Sequence, residues 1–362
     1  MNILWIPHSS WESSRSRDHY FIEQMKKKHE IHVLTWTQPR GARISHFLNP
    51  KLHINGFRSW DMIEDGIHFH HFPRFHATSF TPHLLRYNEK LFQNRIRRIV
   101  SDHGINLIIC GPSHYLNGFP PFDLDIPIIF DHLDYVNDKN ARDTYLTESD
   151  AVLCVSHDLL SYSKQFNENS HYLPNPVNIS ELKRGNPTRI RDEYELENST
   201  VVSLIGLSTA DSYYLIDTYP IVKEKIDNVK YLIVGRNHHY EQMKKKAEKY
   251  DNIIFTGWVN NIEDFFAATD IGTYPVDKTI YDNARCPIKI LEYSVLGKPV
   301  VSTNINEVLH WNLPNVFISK PNTYNFSRKI IEAKDASYDL PNLDQFKIGN
   351  LASKLDRIIK EI

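Results

Sequence analysis

The chain alternates short apolar runs with stretches of helical periodicity, and it does so twice. The apolar runs of strand length lie at 1–6, 30–35, 106–110, 126–130 and 151–156, then at 201–206, 230–235, 252–256, 271–274 and 300–303. Strands joined by a helical crossover pair in parallel, and such units build a doubly wound sheet. The sequence therefore predicts an α/β protein that contains two parallel sheets.

The length of 362 residues is typical of two domains. We expect the first domain at 1–180 and the second at 200–345. Residues 181–199 are polar and contain a proline, which is typical of an interdomain linker. The final segment, 346–362, is predicted to form one more helix.

Composition argues against several classes of protein. A formal net charge of -2 gives no bulk attraction to nucleic acid. The three cysteines have no metal-ligand spacing, and no run has the pattern of a signal peptide or a transmembrane helix. We therefore expect a cytoplasmic protein. No glycine motif of the P-loop or NAD-binding type follows the first strand, and the D-L-D at 123–125 precedes a strand, so we attribute it to chance.

The stretch 287–303, PIKILEYSVLGKPVVST, predicts a helix, a stop and a buried strand. Pro287 suits the start of a helix and Gly297 its left-handed end, which puts Lys289 and Glu292 on one face near the start. Two interpretations are open. The two side chains form an ordinary ion pair on a solvated face, or they bind a nucleotide. In the second case the ammonium group and the free N–H groups of the helix start bind a diphosphate, and the carboxylate binds a ribose.

The same stretch resembles the donor-site segment of the GT-B glycosyltransferases, in particular the retaining group known as family 4. The resemblance implies two Rossmann-like domains that face a cleft. The second domain would bind a UDP- or GDP-linked sugar as co-substrate, and the first would bind the acceptor. The resemblance implies no further cofactor and no metal ion. It also implies that the last helix packs back across the domain junction.

The resemblance assigns Lys289 to the diphosphate, with a catalytic role, and Glu292 to the donor ribose. Ala284 stands where the family often has a second glutamate, and the loop after Gly206 lacks the family's Arg and Lys. The other donor-binding candidates flank these segments: Asn283, Arg285, Pro287, Ile288, Ser208, Arg236, Trp258 and Val259. For Arg285, phosphate contact and a salt bridge within its own loop are both open.

In the first domain, His114 matches the family's histidine near the donor sugar and is the second catalytic candidate. Asp131 and His132 follow a predicted strand, and Ser10 and Arg15 lie in the loop after the first strand. Ligands bind at the carboxyl ends of strands in open α/β sheets, so we assign these four residues to the acceptor. A solvated loop without function, and helix capping by Asp131, are the alternatives.

Histidines alternate with phenylalanine in HFHHF at 68–72. No carboxylate or cysteine lies at ligand spacing, so we expect histidines of an edge strand rather than a metal site. A helix predicted over 84–103 has a basic outer face. That face is either solvated or in contact with anionic lipid, so peripheral contact of the first domain with a membrane is an open alternative.

The sequence thus predicts a glycosyltransferase that moves a sugar from a nucleotide donor, with retention of anomeric configuration by analogy with the family. The acceptor is a lipid-linked glycan, a polysaccharide, or a small alcohol or thiol. Because of Ala284 and the missing cations, a non-catalytic nucleotide-sugar-binding protein is an alternative, and an epimerase of the same fold is another.

Overall fold

The structure is a computed structural model, and it describes residues 1–8, 11, 16–35, 60–72, 82–112, 119–206, 213–236 and 239–362. The chain divides into two compact units. The first contains Met1–Pro174 and Ile348–Ile362, and the second contains Asn175–Lys347. The second unit therefore starts earlier than the predicted boundary.

The described strands of the first unit form one sheet. They are β1 Asn2–Ile6, β2 Glu30–Thr35, β3 Trp60–Glu64, β4 Ile67–His71, β5 Leu107–Cys110, β6 Ile128–His132, β7 Ala151–Cys154 and β8 Ser170–Tyr172. Its helices up to that point are α1 Arg17–Met25, α2 Pro82–His103, α3 Lys139–Glu148 and α4 His157–Ser163. The strand order is β3-β4-β2-β1-β5-β6-β7-β8, and all neighbours are parallel except β3 and β4. The winding direction therefore reverses between β1 and β5.

The second unit has a smaller parallel sheet. Its strands are β9 Thr200–Ile205, β10 Val229–Val234, β11 Ile253–Gly257, β12 Ile271–Tyr274, β13 Val300–Thr303 and β14 Val316–Ser319. Its helices are α5 Ile179–Leu182, α6 Pro187–Glu193, α7 Tyr213–Lys223, α8 Tyr240–Ala247, α9 Ile262–Ala268, α10 Ile280–Ala284, α11 Ile288–Val295, α12 Asn306–Trp311 and α13 Thr323–Lys334. The order β11-β10-β9-β12-β13-β14 reverses between β9 and β12.

The predicted linker at 181–199 is not an extended connection, and it belongs to the second unit. Helix α6 packs against α9. Arg191 donates to both carboxylate oxygens of Asp270, at 2.7 and 2.8 Å, and to the carbonyl of Ala268 at 2.9 Å. The segment is polar because it forms short surface helices that are held by specific hydrogen bonds, and composition alone does not separate such helices from a linker.

The histidine-rich strand β4 lies between β2 and β3, so the expectation of an edge strand is wrong among the described strands. Phe69 joins the apolar core, while His68 and His70 alternate with it and face the other side of the sheet. A carboxylate from outside the HFHHF stretch nevertheless accompanies these rings. Asp61 is the cross-strand neighbour of His70, with 2.7 Å between Asp61 Oδ1 and His70 Nδ1.

The C-terminal helix α14, Ile348–Glu361, belongs to the first unit. It packs against α1, and Leu351, Leu355 and Ile359 join the core beneath β1 and β2. Its Asp356 lies 2.9 Å from His29 Nε2 and 3.0 Å from Lys360 Nζ. The hydrogen bond from Lys360, with further help from His29, holds the pKa of Asp356 well below its usual range.

None of the described helices combines the length and the apolar character that crossing a lipid bilayer requires.

We expect Leu355→Ala to lower the free energy of unfolding of the first unit by about 2–5 kcal/mol, because truncation of a fully buried leucine leaves a cavity. Arg357→Ala, at an exposed position of the same helix, is the control, with an expected change within about 0.5 kcal/mol. Urea denaturation followed by circular dichroism measures both. Equal effects would contradict the packing of α14 described above.

Candidate functional site

Helix α11 is fixed to the sheet of the second unit by Tyr293. The Tyr293 hydroxyl lies 2.8 Å from Ser203 Oγ on β9. Its ring lies against Gly272 on β12, where an added Cβ would come within 2.5 Å of the ring. Only glycine leaves room for this contact. The helix is therefore held over β9 and β12, the two strands between which the winding direction reverses.

This docking brings the start of α11 to the carboxyl end of β9. The Lys289 side chain runs over Gly206, where an added Cβ would lie 2.9 Å from Lys289 Cε. Gly206 has a φ of +79°, so glycine is favoured there for its backbone conformation as well. In open α/β sheets, ligands bind at the carboxyl ends of the strands where the winding reverses. Lys289 lies at that place in the second unit.

Lys289 and Glu292 form an ion pair, with 2.8 Å between Nζ and Oε2. Their side chains are only 25% and 16% exposed, so they do not lie on a fully solvated helix face. Nζ also lies 5.4 Å from the centre of the Phe266 ring. The ion pair is close but poorly aligned, and the buried Glu292 Oε2 accepts no aligned hydrogen bond from any described residue. This carboxylate oxygen can therefore accept from a ligand.

The chain before α11 is held by Asn175. Asn175 Nδ2 donates to the Cys286 carbonyl at 3.1 Å, and the Asn175 backbone N–H donates to Cys286 Sγ at 3.3 Å. Pro287 is the N-cap rather than the first helical residue, and it supplies no side-chain cap. Side-chain capping therefore does not occupy the start of the helix, which suits the binding of an anion there. The neighbouring Ile288 is partly buried.

Two predicted donor-binding residues have structural partners instead. Residues 280–284, just before the predicted helix, form the short helix α10. Arg285 Nη1 donates to the buried Asp282 at 3.1 Å, which corresponds to the salt-bridge alternative. Asn283 Oδ1 accepts from the backbone N–H of Asn306 at 3.1 Å and so supports the start of α12. The sequence did not reveal the role of Asn283, because Asn306 lies on a separate helix.

The remaining donor-side candidates lie at the ends of two neighbouring strands. Arg236 follows β10, is exposed, and pairs with Glu241 at 2.7 Å. Trp258 follows β11 and is 80% exposed, and Val259 beside it is partly buried. An aromatic side chain this exposed is available for stacking against a ligand.

Four predicted site residues lie outside the described residues. They are Ser10, Arg15, His114 and Ser208.

Asp131 has a structural role in the first unit. Strand β6 continues through His132, two residues further than predicted, so Asp131 lies inside the sheet and is buried. Both of its carboxylate oxygens accept from Arg17, at 2.9 and 3.0 Å, and Arg17 also donates to the Pro174 carbonyl at 2.7 Å. Burial raises the pKa of Asp131, and the Arg17 charge opposes that shift. We therefore remove Asp131 from the set of direct acceptor ligands.

His132 is fully buried, and its Nδ1 lies 3.0 Å from Ser163 Oγ. Burial, together with the Arg142 charge, lowers the pKa of His132 to about 3, so the ring is neutral at pH 7. A neutral ring inside the core does not contact an acceptor. The sequence did not reveal that His132 is buried, because the predicted strand ended at residue 130 and β6 in fact includes the polar residues 131 and 132.

The structure reveals a histidine that the sequence did not single out. His8 follows β1, and its Nδ1 lies 2.8 Å from the buried Asp18, which also accepts from Trp5 Nε1 at 2.9 Å. His8 packs against the backbone of Gly111, which follows β5. Glycine is required at this position, because an added Cβ would lie 2.8 Å from His8 Cβ. His8 therefore lies where the winding reverses in the first unit. Its signal in the sequence is its position directly after the first strand.

The environment of His8 favours its charged form. Burial lowers the pKa of His8, but the hydrogen bond and the negative charge of Asp18 outweigh burial, and the net shift is upward. Burial likewise raises the pKa of Asp18, but the hydrogen bond and charge of His8 outweigh it and the net shift is downward. The pair is thus an oriented imidazole with a carboxylate behind it, an arrangement that can exchange a proton with a bound hydroxyl group.

Comparisons with known proteins agree with this architecture. A family model described as "Glycosyl transferases group 1" matches residues 201–334, which carry the Lys289 site. The match confirms the resemblance to glycosyltransferases and the predicted enzyme class. A search of curated protein sequences found no match.

Several solved structures are similar to this chain over nearly its whole length. A glycosyltransferase from Rickettsia africae ESF-5 has a TM-score of 0.70 at 16% identity, and the match covers 99% of this chain and 98% of that one. HepE of Anabaena, in complex with UDP and glucose, has a TM-score of 0.63 at 14% identity, with both chains fully covered. A trehalose-phosphate synthase from Burkholderia xenovorans has a TM-score of 0.68 at 11% identity, covering 99% of each chain. At such low identity the likeness shows the fold, which is GT-B as predicted.

We expect the imidazole of His8 to titrate above its ordinary pKa of 6.5, and Asp18→Asn to lower the midpoint below that of the wild type. Because the folded-state pKa of His8 is raised, the charged ring stabilises the fold below pH 6.5, and this stabilisation is lost as pH rises through the folded-state value. The pair is also lost in acid, as pH falls through the lowered pKa of Asp18. NMR titration of the imidazole C–H resonances measures the midpoint. His171, whose pKa burial lowers, is the internal control. The same His8 midpoint in both proteins would contradict the pairing.

Proposed function

We propose that this chain, a glycosyltransferase of the GT-B fold, transfers a sugar from a nucleoside-diphosphate donor to an acceptor bound by its first unit, with retention of anomeric configuration. The observation that carries the proposal is the position of Lys289 and Glu292, half-buried at the carboxyl end of β9 where the winding reverses. No cofactor or metal ion is part of the proposed reaction.

The diphosphate of the donor is proposed to bind at the start of α11, beside Lys289. The helix start and the ammonium group both favour negative charge, and this charge grows as the bond between the sugar and the diphosphate breaks. The diphosphate leaves with the electron pair of that bond. Lys289 therefore acts on the leaving group. The acceptor hydroxyl or thiol group forms the new bond to the sugar and loses its proton, for which the neutral His8 ring is the proposed base.

Glu292 is proposed to bind the ribose of the donor. A carboxylate has two oxygens that accept hydrogen bonds, and a ribose diol supplies two donors. When the diphosphate draws Lys289 towards itself, the Glu292 carboxylate loses its ion-pair partner and gains the diol. Trp258, the exposed aromatic residue after β11, is proposed to lie near the base.

The nucleotide of the proposed donor is uridine diphosphate. HepE of Anabaena binds UDP and UDP-glucose, and a trehalose-6-phosphate protein from E. coli binds UDP-2-fluoro glucose. These ligands belong to those proteins and favour UDP over GDP for this chain. The donor site lacks the second glutamate of the family, since Ala284 is buried in its place, so contacts to the sugar come from other groups.

The acceptor is proposed to bind near His8, which replaces Asp131 and His132 as the leading candidate, together with the predicted residues Ser10, Arg15 and His114. Lipid-linked glycans, polysaccharides and small alcohols or thiols all offer the hydroxyl or thiol group that the reaction needs. For a lipid-linked acceptor, the exposed basic residues of α2 are proposed to contact an anionic membrane. They are Arg86, Lys90 and Arg98.

We expect Lys289→Ala to lower kcat/KM by about 10²–10³-fold, because it removes a cation that stabilises the leaving diphosphate. We expect Glu292→Gln to weaken UDP binding by about tenfold or more, because a charged hydrogen bond to the ribose is lost. Calorimetric titration with UDP and GDP, and turnover of UDP- and GDP-linked sugars with and without acceptors, measure these effects.

The matched controls are Lys329→Ala and Glu332→Gln on α13. Lys329 and Glu332 have the same spacing and the same 2.8 Å separation, but their side chains are more exposed, at 35% and 53%. We expect these variants to leave binding and turnover unchanged. Normal turnover by Lys289→Ala would overturn the site, while UDP binding by the wild type without turnover of any donor would favour a binding protein.

We expect Gly206→Ala to weaken UDP binding by about tenfold, or about 1.4 kcal/mol, because the added Cβ displaces the Lys289 side chain. Gly66→Ala is the matched control, since Gly66 has a similar φ of +74° and nothing within 4 Å of an added Cβ. Both variants carry a backbone penalty of about 1–2 kcal/mol, measured by urea denaturation. If UDP affinity is unchanged in Gly206→Ala, the contact with Lys289 is irrelevant to binding.

A further inference from the structure

Four histidines gather on one face of the first sheet, away from the strand ends. His32 on β2, His68 and His70 on β4, and His103 at the end of α2 form the histidine cluster. The His32 ring centroid lies 4.5 Å from that of His68, 5.2 Å from that of His70 and 4.9 Å from that of His103. His32 and His70 are buried. The cluster joins two strands and a helix that are distant in the sequence.

Both buried rings are backed by a carboxylate. His70 Nδ1 lies 2.7 Å from Asp61 Oδ1, and Asp61 is in turn paired with Arg95 of α2. His32 Nε2 lies 3.3 Å from Glu30 Oε1. Histidines that bind metal ions commonly donate their other ring N–H to a carboxylate, which fixes the tautomer and leaves the inner nitrogen as a ligand.

The two neutral rings do not carry enough protons for the three contacts that they make. His32 Nδ1 and His70 Nε2 lie 2.9 Å apart, between the two contacts to carboxylates. Two neutral imidazoles carry one N–H each, and three close contacts need three protons or cations. If each ring donates to its carboxylate, two lone pairs face each other at the centre. A cation between these nitrogens removes the conflict.

A third imidazole completes the arrangement. The ligand atoms of His32, His70 and His103 all lie within 4.8 Å of one another. A shared proton uses only two nitrogens, whereas a metal ion of the zinc type binds three or four ligands. Tetrahedral coordination with metal–nitrogen bonds of about 2.1 Å places the nitrogens about 3.4 Å apart, so the two inner atoms need to separate by about half an ångström.

We propose that His32, His70 and His103 bind one divalent ion of the zinc type, with Asp61 and Glu30 as the carboxylates that orient the rings. Imidazole nitrogen is a preferred ligand of Zn²⁺ and Co²⁺. Glu30, His32 and His68 form an alternative set on the other side of His32, but its Glu30 is exposed. The ion would tie β2, β4 and α2 together, and it takes no part in the proposed sugar transfer.

The first test uses the full-length wild-type chain, with any affinity tag removed and metals stripped by a chelator. We expect equilibrium dialysis against Zn²⁺ to give one ion per chain, and Co²⁺ to give the visible absorption of a tetrahedral nitrogen site. X-ray absorption of the zinc-loaded protein should count three imidazole ligands. A protein that binds no ion, as expected if a proton alone fills the cluster, or binds it through oxygen only, overturns the proposal.

The second test uses variants with the fold checked by circular dichroism. We expect His103→Gln to weaken Zn²⁺ binding by more than about 100-fold, and Asp61→Asn by about 10–100-fold. His68→Gln distinguishes the two ligand sets, and His171→Gln is a control in the same unit outside the cluster. Both should bind as the wild type does. Zn²⁺ should raise the Tm of the wild type and not that of His103→Gln. Equal binding by His103→Gln and the wild type overturns the assignment.

Discussion

The contact of Tyr293 with Ser203 and Gly272 is the constraint on which the candidate donor site depends. One aromatic ring lies against a glycine of β12, and its hydroxyl group bonds to β9, so α11 has one position along the sheet. From there the helix start reaches the carboxyl end of β9, and Lys289 lies over Gly206. Interiors are close-packed, so a change of a single methyl group at Gly272 would move the whole helix.

The two units place their candidate site residues at the same point of the sheet, but these residues differ in chemistry. In each sheet the winding reverses beside the first strand of the unit, between β1 and β5 in the first and between β9 and β12 in the second. The second unit places a lysine and a glutamate at its reversal, which suits an anionic ligand. The first places the His8–Asp18 pair there, which suits a proton transfer. A sugar transfer needs both kinds of group.

The sequence predicted most strands and the motif around Lys289, because alternating apolar runs and a proline–glycine-bounded helix are local signals. It did not predict the strands β3, β8 and β14 or the helices α3, α5, α6, α10, α12 and α13, most of which are short. At the sites, it failed where partners come from distant segments. Asp131 was assigned to an acceptor because its partner Arg17 lies far away in the chain. Asp61, the carboxylate beside His70, was missed because it lies on the neighbouring strand β3 rather than within β4. His8 was missed because its significance depends on Asp18 and Gly111.

The return of the chain to the first unit has a consequence for how the protein is made. Helix α14 supplies Leu351, Leu355 and Ile359 to a core whose other members are complete by Leu173. During synthesis, the ribosome therefore produces the entire second unit before α14 is available to cover the apolar core of the first unit. Such an exposed surface is prone to aggregation, so we expect the nascent chain to need protection by chaperones until α14 emerges.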